Sequence, residues 1–327
     1  AATGLASGFV EADAPYVTII IPTRDKLELL QPCVESILGK SNYPPSRLEI
    51  LIVDNNSSDP EALEYFAALQ KNGSARILRD EKPFNFSRIN NEAARLASGE
   101  ILLFVNNDTL VIDADWIWKL ARHAAKPDVG CVGGKLLYPD DTIQHAGVVL
   151  GVQGLAAHTS VGLCDGDPAI PYDVDRERSS VTGACLAIRK SVFNQLGGFD
   201  ETLAGVDKPR GEHMNESKSR GFDDTPRKMD VFSMETVYSR RNFKKFYKDD
   251  PYYSPNLSFA APDKLAFPPR NHKPWRYLPD MRRRSVLFLS STHGIGQGVP
   301  MVIKAQAAVF AKAGYHVYVG GPGPANE

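Results

Sequence analysis

Between residues 17 and 106 short, β-branched apolar runs alternate with segments whose apolar residues recur at helical spacing. VTIII (17–21), closed by Pro22, precedes LELLQPCVESIL. LEILIVD (48–54) precedes PEALEYFAALQ, ARIL precedes RINNEAARLA, and EILLFVN (100–106) closes the series. Strands that read as continuous apolar runs are covered on both faces, and strand–helix alternation builds a parallel sheet with helices on both sides. The expected fold is therefore α/β, with a mainly parallel twisted sheet.

In such sheets ligands bind beyond the carboxyl ends of the strands. The polar residues there are Thr23 and Arg24, Asp54 to Asp59, and Asn106 to Asp108. The first strand ends in PTRDK without GxGxxG, so the phosphate-cradling turn of a dinucleotide-binding dehydrogenase is missing where it should stand. Asp54 can accept a hydrogen bond from a nucleobase imide or a ribose hydroxyl; equally, it can cap the following turn. In FVNNDT (104–109) a carboxylate follows a buried strand, where a hard divalent cation bridging two phosphates needs oxygen ligands. Asp108 is the anionic donor and Asn106 offers a neutral amide oxygen. Alone, Asp108 reads about twice as readily as a turn or cap residue.

The 38 basic and 39 acidic residues nearly cancel, so no global field draws the chain to nucleic acid or to an anionic membrane. At 327 residues, 43% hydrophobic and 24% charged, it can bury a real core. Its four cysteines (Cys33, Cys131, Cys164, Cys185) fall in no metal-ligand spacing, which suits a reducing cytoplasm. Residues 1–15 read as a tail without a secretory pattern, and no stretch reaches the ~18 apolar residues of a membrane span. The chain begins without Met, as a piece of a longer protein would.

After a helix around DWIWKLARHAA, where Trp116 and Trp118 point in different directions so that at least one belongs to the core, the apolar runs shorten (VGCVGGKLLY, AGVVLGVQG). SSVTGACLAIRKSVFNQLGGFDE follows. Charges dominate from Lys208 to Asp250, and from Pro251 prolines and aromatics alternate without period. Strand SVLFLSS, loop THGIGQGVP, helix MVIKAQAAVFAKAG and strand HVYVGG then open a new unit that ends with the chain.

PTRDK, VDNNSSD, PFNFSRINNEAARLASGEILLFVNNDT, KLLYPDDTIQHAGVVLG and VTGACLAIRKSVFNQLGGFDE, in this order over residues 16–206, resemble the family-two inverting glycosyltransferases, above all multidomain bacterial members that build surface polysaccharides. The resemblance implies a GT-A fold, a nucleoside diphosphate sugar as donor, and Mn²⁺ or Mg²⁺. It places Thr23, Arg24 and Asp54 in the nucleotide pocket, Arg88 and Asn91 on the donor, and Thr182, Gly183 and Ala184 in the sugar and acceptor pocket. The family's DxD metal motif falls on Asn106, Asn107 and Asp108, so its first carboxylate is an amide here. His145 of QHAG could face the site, but reads better as a hydrogen-bonded structural histidine.

The chain departs from the family after GGFDE, where TLAGVDKPRGEHMN runs straight into ESKSRGFDDTP. The general base position falls on Gly205, and Asp207 matches only the second acid of the pair; Asp200 and Glu201 are the alternatives. The family's HisHis pair falls on Met214 and Asn215, with His213 one residue out of register. The domain reading is a tail over 1–15, a GT-A domain over 16–250 (nucleotide half 16–112, acceptor half 113–250, shortened near 205–215), an extended linker over 251–284, and over 285–327 the truncated start of a second, GT-B-like domain that expects its missing remainder.

The expected function is transfer of a sugar from a nucleoside diphosphate to a cell-surface glycan or lipid-linked glycan acceptor, with inversion and with Asp207 as base. The alternative is a catalytically impaired nucleotide-sugar-binding module that serves another transferase. A third reading, a nucleotidyltransferase, lacks the glycine-rich basic loop it would need after the first strand. A cytoplasmic place is expected. The patch of Arg270, Lys273, Trp275, Arg276, Tyr277 and Arg282 to Arg284 offers a local contact with the inner face of a membrane, or is a solvated linker.

Overall fold

The computed structural model describes residues 14–152, 156–166, 175–201, 247, 250–254, 256–266, 285–289, 312 and 316–320. Strands β1 (Val17–Thr23), β2 (Leu48–Asp54), β3 (Arg76–Arg79) and β4 (Ile101–Val105) alternate with helices α1 (Leu27–Lys40), α2 (Pro60–Lys71) and α3 (Phe86–Leu96). Then come α4 (Trp116–Ala124), β5 (Cys131–Gly133), β6 (Leu136–Leu137), β7 (Ile143–His145), β8 (Val148–Leu150), β9 (Ala156–His158), β10 (Cys185–Arg189) and α5 (Lys190–Gln195).

The main sheet has the order β3-β2-β1-β4-β10-β5. Its first four strands are parallel, as expected, and β10 runs against both β4 and β5. Along each parallel strand the side chains alternate between two cores. Ile19, Ile21, Ile50, Ile52, Leu103 and Val105 meet α1, α2 and α4 on one face. Ile20, Leu51, Val53, Leu102 and Phe104 meet α3 and α5 on the other. This two-sided burial is why the strands read as unbroken apolar runs. Asn85 caps α3 by accepting from the Arg88 amide at 3.0 Å, and Asp59 caps α2 through the Glu61 amide, with Pro60 at the first helical position. Trp118 is the core tryptophan, 4.8 Å from the ring of Tyr43, while Trp116 is half-buried and donates from its indole nitrogen to Ser41 Oγ at 2.8 Å.

β5 and β10 are antiparallel neighbours, so the chain leaves the sheet after Gly133 and returns at Cys185 beside its point of departure. The pairs β6–β7 and β8–β9 lie within that excursion. Val149, Val152 and Ala157 form a third small core there with Tyr253, and Leu257 and Phe259 pack against it. Asp250, 2% exposed, accepts from the Leu150 amide at 2.7 Å and from the Ser179 hydroxyl, and Asp263 accepts from the Ser160 amide at 2.5 Å. The described residues of 251–266, part of the stretch 251–284 read from sequence as extended linker, thus pack on the β8–β9 region. Their scattered aromatics have no period because they fill one compact patch.

The chain divides into two units, Ala1–Arg270 and Asn271–Glu327. In the second, β11 (Ser285–Leu289) pairs in parallel with β12 (His316–Gly320). Among the described residues no helix is long and apolar enough to cross a membrane.

Candidate active site

The register of β1, β2 and β3 sets Thr23 beside Asp54 and Asp54 beside Arg79 at the carboxyl edge. Beyond Thr23, Asp25 (φ 50°) and Lys26 (φ 52°) both take the left-handed backbone, which costs a non-glycine residue roughly 1–2 kcal/mol. The neighbouring loop holds them there. The Asp25 amide donates to Ser57 Oγ at 2.7 Å, and its carboxylate accepts from the Ser58 and Asp59 amides at 2.7 and 2.9 Å. Those amides, Asp59 first and then Ser58, hold the Asp25 carboxyl below its ordinary range. Arg24 is exposed beside this knot.

Asp54 is buried. One of its oxygens accepts from the Ser57 amide at 2.8 Å and the other pairs with Arg79, which also donates to Ser57 O at 2.9 Å and to Asn56 Oδ1 at 2.8 Å. The turn-capping alternative for Asp54 is therefore present in the structure. Each carboxylate oxygen has a second acceptor position, so these contacts orient Asp54 without exhausting it.

Arg88 makes a two-pronged pair with Asp80, at 2.8 and 2.9 Å, and donates to Pro83 O at 2.8 Å. Asp80 also accepts from Asn55 Nδ2 at 2.9 Å. Burial pushes the Asp80 carboxyl up, but the Arg88 guanidinium outweighs it, and the net direction is down. Asn91 donates to Phe199 O at 2.9 Å and Glu201 Oε1 at 2.8 Å, and accepts from the Phe199 amide at 2.8 Å. The preceding Gly198 sits at φ 80°, and a Cβ on it would come within 2.5 Å of Asn91 Oδ1, so the close approach requires glycine. Arg88 and Asn91, both expected on the donor, are held by protein partners.

The end of β4 leans on α1. Asn106 O receives the Cys33 thiol at 3.6 Å, and the Val111 amide donates to Ser36 Oγ at 3.1 Å. Burial pushes the Cys33 thiol up to about 12, so it is a neutral packing group. Asn107 Nδ2 donates to Thr23 Oγ1 at 3.0 Å, joining the loops after β1 and β4, and Asp108 is exposed just beyond. Because β10 is reversed, the residues ahead of it lie at this same edge. The Asn106 amide donates to Ala184 O at 3.1 Å, and the Ala184 amide donates to Thr182 Oγ1 at 3.3 Å. Thr23, Asn106, Asp108, Thr182, Gly183 and Ala184 are thus drawn to one place.

Among the described residues no three His, Cys, Asp or Glu cluster as a metal cage would require. The donor set at Asp108 instead offers one accessible carboxylate next to neutral amides. That fits a cation such as Mg²⁺ or Mn²⁺ which takes one or two carboxylates and completes its shell from substrate phosphates and water.

Of the base candidates, Asp200 and Glu201 are exposed and Glu201 is tied to Asn91. Asp207, Gly205, His213 and the family positions at 214–215 lie outside the described residues, as does the basic and aromatic patch from Arg270 to Arg284. His145 is buried and stacks edge-on against His158, with ring centroids 4.8 Å apart. Arg79, Asp80, His158 and Asp250 were not singled out by the sequence. Arg79 ends β3 as Asp54 ends β2, and Asp80 directly follows it, so the same strand-end rule that found Asp54 would have found them.

The sequence pattern of Glycosyl transferase family 2 matches residues 18–197. The uncharacterized protein y4gI of Sinorhizobium fredii is 40% identical over 280 residues, which is 78% of this chain and 30% of that protein. The O-antigen biosynthesis protein RfbC of Myxococcus xanthus is 39% identical over 273 residues, 76% of this chain and 21% of that protein. The chain therefore spans less than a third of the length of these two relatives. The solved mannosyltransferase PcManGT of Pyrobaculum calidifontis, in complex with GDP-Man and Mn²⁺, aligns with a TM-score of 0.43 at 21% identity, covering 60% of this chain and 50% of that one. With more than half of its residues matched by the family pattern, and with the mainly parallel α/β sheet of the GT-A type, the chain belongs to glycosyl transferase family 2.

Proposed function

We propose that the chain transfers a sugar from a nucleoside diphosphate donor to a growing cell-surface glycan, free or lipid-linked, with inversion at the anomeric carbon. The observation that carries this reading is the Asn106–Ala184 hydrogen bond, 3.1 Å long, which sets the segment 182–184 beside the only acidic side chain of the loop 106–109. A diphosphate held at Asp108 then has its sugar at Thr182, Gly183 and Ala184.

In this reading Thr23, Arg24 and Asp54 receive the nucleotide. Arg88 and Asn91 shape the donor pocket by fixing the loops at 80–83 and 199–201. A divalent cation held by Asp108, with Asn106 beside it, would offset charge on the departing diphosphate. The acceptor oxygen attacks the anomeric carbon from the face opposite the diphosphate, whose bond breaks with the electron pair leaving on phosphate oxygen. The proton of the acceptor hydroxyl passes to a carboxylate, assigned to Asp207.

Thermal-shift measurements with UDP, GDP and dTDP, each with and without Mn²⁺, test the reading, because a ligand of the native state raises the midpoint. At least one nucleotide is expected to do so, and more strongly with the metal. If none of the three shifts the midpoint at millimolar concentration, the donor assignment fails.

A further inference from the structure

Behind the segment 182–184 lies a buried pair of histidines. His145 ends β7 and is 1% exposed; His158 ends β9 and is 8% exposed. Their Nδ1 atoms are 2.8 Å apart, a hydrogen-bond distance, so one of the two nitrogens carries a proton and the other accepts it. The other nitrogen of His145 decides which. Its Nε2 faces the Thr182 amide at 3.4 Å, a donor, so Nε2 is the acceptor and the His145 proton is on Nδ1. His158 accepts at Nδ1 and carries its own proton on Nε2.

From this pair an unbroken series of contacts leads to the end of β4. His145 Nε2 accepts from the Thr182 amide, Thr182 Oγ1 from the Ala184 amide at 3.3 Å, and Ala184 O from the Asn106 amide at 3.1 Å. The segment is steadied at its start as well. Ser180 O accepts from the Val148 amide at 2.9 Å, and the Ser179 hydroxyl donates to Asp250. His145 is thus the side chain that reaches the stretch 182–184 from below.

We infer that His145 is a positioning residue for the sugar pocket, holding Thr182 and Ala184 in place through its Nε2, and that it does so only while it and His158 are both neutral. The inference rests on the reading that 182–184 line the sugar pocket. An added proton has no place in this arrangement. On His145 Nε2 it would point at the Thr182 N–H, and on His158 Nδ1 at the His145 N–H. The titratable and charged groups facing His145 are His158 and Arg178, whose stem lies over Gly147, and neither would stabilise a positive charge on His145. In agreement, burial first, then His158 and Arg178, bring His145 down to about 3.

The test compares His145→Phe and His145→Gln with the unaltered chain by two measurements. The first is amide hydrogen exchange at Thr182 and Ala184, with β1 as internal reference. Faster exchange by about tenfold or more is expected in His145→Phe, with β1 unchanged and a smaller effect in His145→Gln, whose amide oxygen replaces the acceptor. The second is calorimetric affinity for UDP-GlcNAc against UDP, and for GDP-Man against GDP, all with Mn²⁺. His145→Phe is expected to lose about tenfold on the sugar conjugate and less than about twofold on the bare nucleotide. Unaltered exchange at Thr182, or equal losses on conjugate and nucleotide, would overturn the inference. If the unaltered chain binds none of the four ligands, it is the donor reading that fails, and the exchange result alone decides whether His145 positions the segment. If His145→Phe does not fold, His145→Gln and the ring-nitrogen shifts decide, with a proton on His145 Nε2 overturning the inference.

Discussion

The guanidinium of Arg88 meets the carboxylate of Asp80 end on, its two nitrogens 2.8 and 2.9 Å from the two oxygens, and both groups are largely withdrawn from water. Removing one partner strands the other. Arg88→Ala is expected to cost about 3 kcal/mol in urea unfolding, because the Asp80 carboxylate stays buried without its counter-charge. Asp80 contributes stability that is fully present above its ordinary pKa of 3.8, since its folded value is lower, and this is lost as pH falls through the folded value. Arg88→Ala should therefore flatten the acid limb of the stability curve. An unchanged limb would show the pair to be inconsequential.

Asp108 is exposed and outside the cores, so Asp108→Ala should change stability by no more than about 0.5 kcal/mol. What it should remove is the metal's share of binding: a nucleoside diphosphate at a hundredfold excess over its Kd in Mn²⁺ stabilises the unaltered chain by about 2.7 kcal/mol, and in the variant the value with Mn²⁺ should fall to that without it. Undiminished metal-dependent stabilisation in this variant would put the cation elsewhere.

Protonation of His145 costs the folded state, not the unfolded one. Its ordinary pKa is 6.5 and its folded pKa about 3, so the unfolded chain binds more protons between these values and stability falls as the medium is acidified. From pH 6.5, where the unfolded histidine is half-protonated, to pH 5 the loss should be about 1.6 kcal/mol, the slope rising toward about 1.4 kcal/mol per unit. In His145→Gln the fall over this window should be smaller by that amount, read from melting at a series of pH values. A parallel curve for the variant would show that His145 does not titrate as its burial implies.

Asp250→Ala leaves the Leu150 amide and the Ser179 hydroxyl without their acceptor inside a packed region. A loss of about 1–3 kcal/mol is expected, with hydrogen exchange speeding up first over 148–160. Should exchange rise evenly over the main sheet instead, Asp250 is a general stabiliser and not the anchor of that region.

If Asp207 is the base, Asp207→Asn keeps the shape and removes the proton acceptor. Transfer to a panel of oligosaccharide acceptors should then fall by at least about 100-fold, with nucleotide affinity nearly unchanged. Residual transfer at the original rate would move the role to Asp200 or Glu201.

The parallel half of the fold was legible because its signal is local. Unbroken apolar runs at β1, β2 and β4 announce double-sided burial, and their ends name the ligand edge. The reversal of β10 carried no such mark, since CLAIR reads alike in either direction; only its pairing with Val105 and Gly133 shows it. The Asp80 clamp and the His145–His158 pair were hidden for a related reason. Each depends on groups from different elements meeting in space, and nothing in PDDTIQHAG says that His158 will lie opposite. Residues 251–284 were read as linker because the aromatics there follow no period, yet Tyr253 and Phe259 stack at 5.9 Å and close a core.

The excursion between Gly133 and Cys185 begins and ends on adjacent strands. A descendant of this protein could lengthen, shorten or exchange everything between those two residues as a cassette while every rung of the main sheet stayed in register, and closing a longer loop adds only about 0.6 kcal/mol per doubling. In the proposed reading that cassette carries the sugar-facing residues and the donor's nucleotide is met on the other side of β4. New sugars or acceptors could then be acquired here without relearning how to hold the nucleotide.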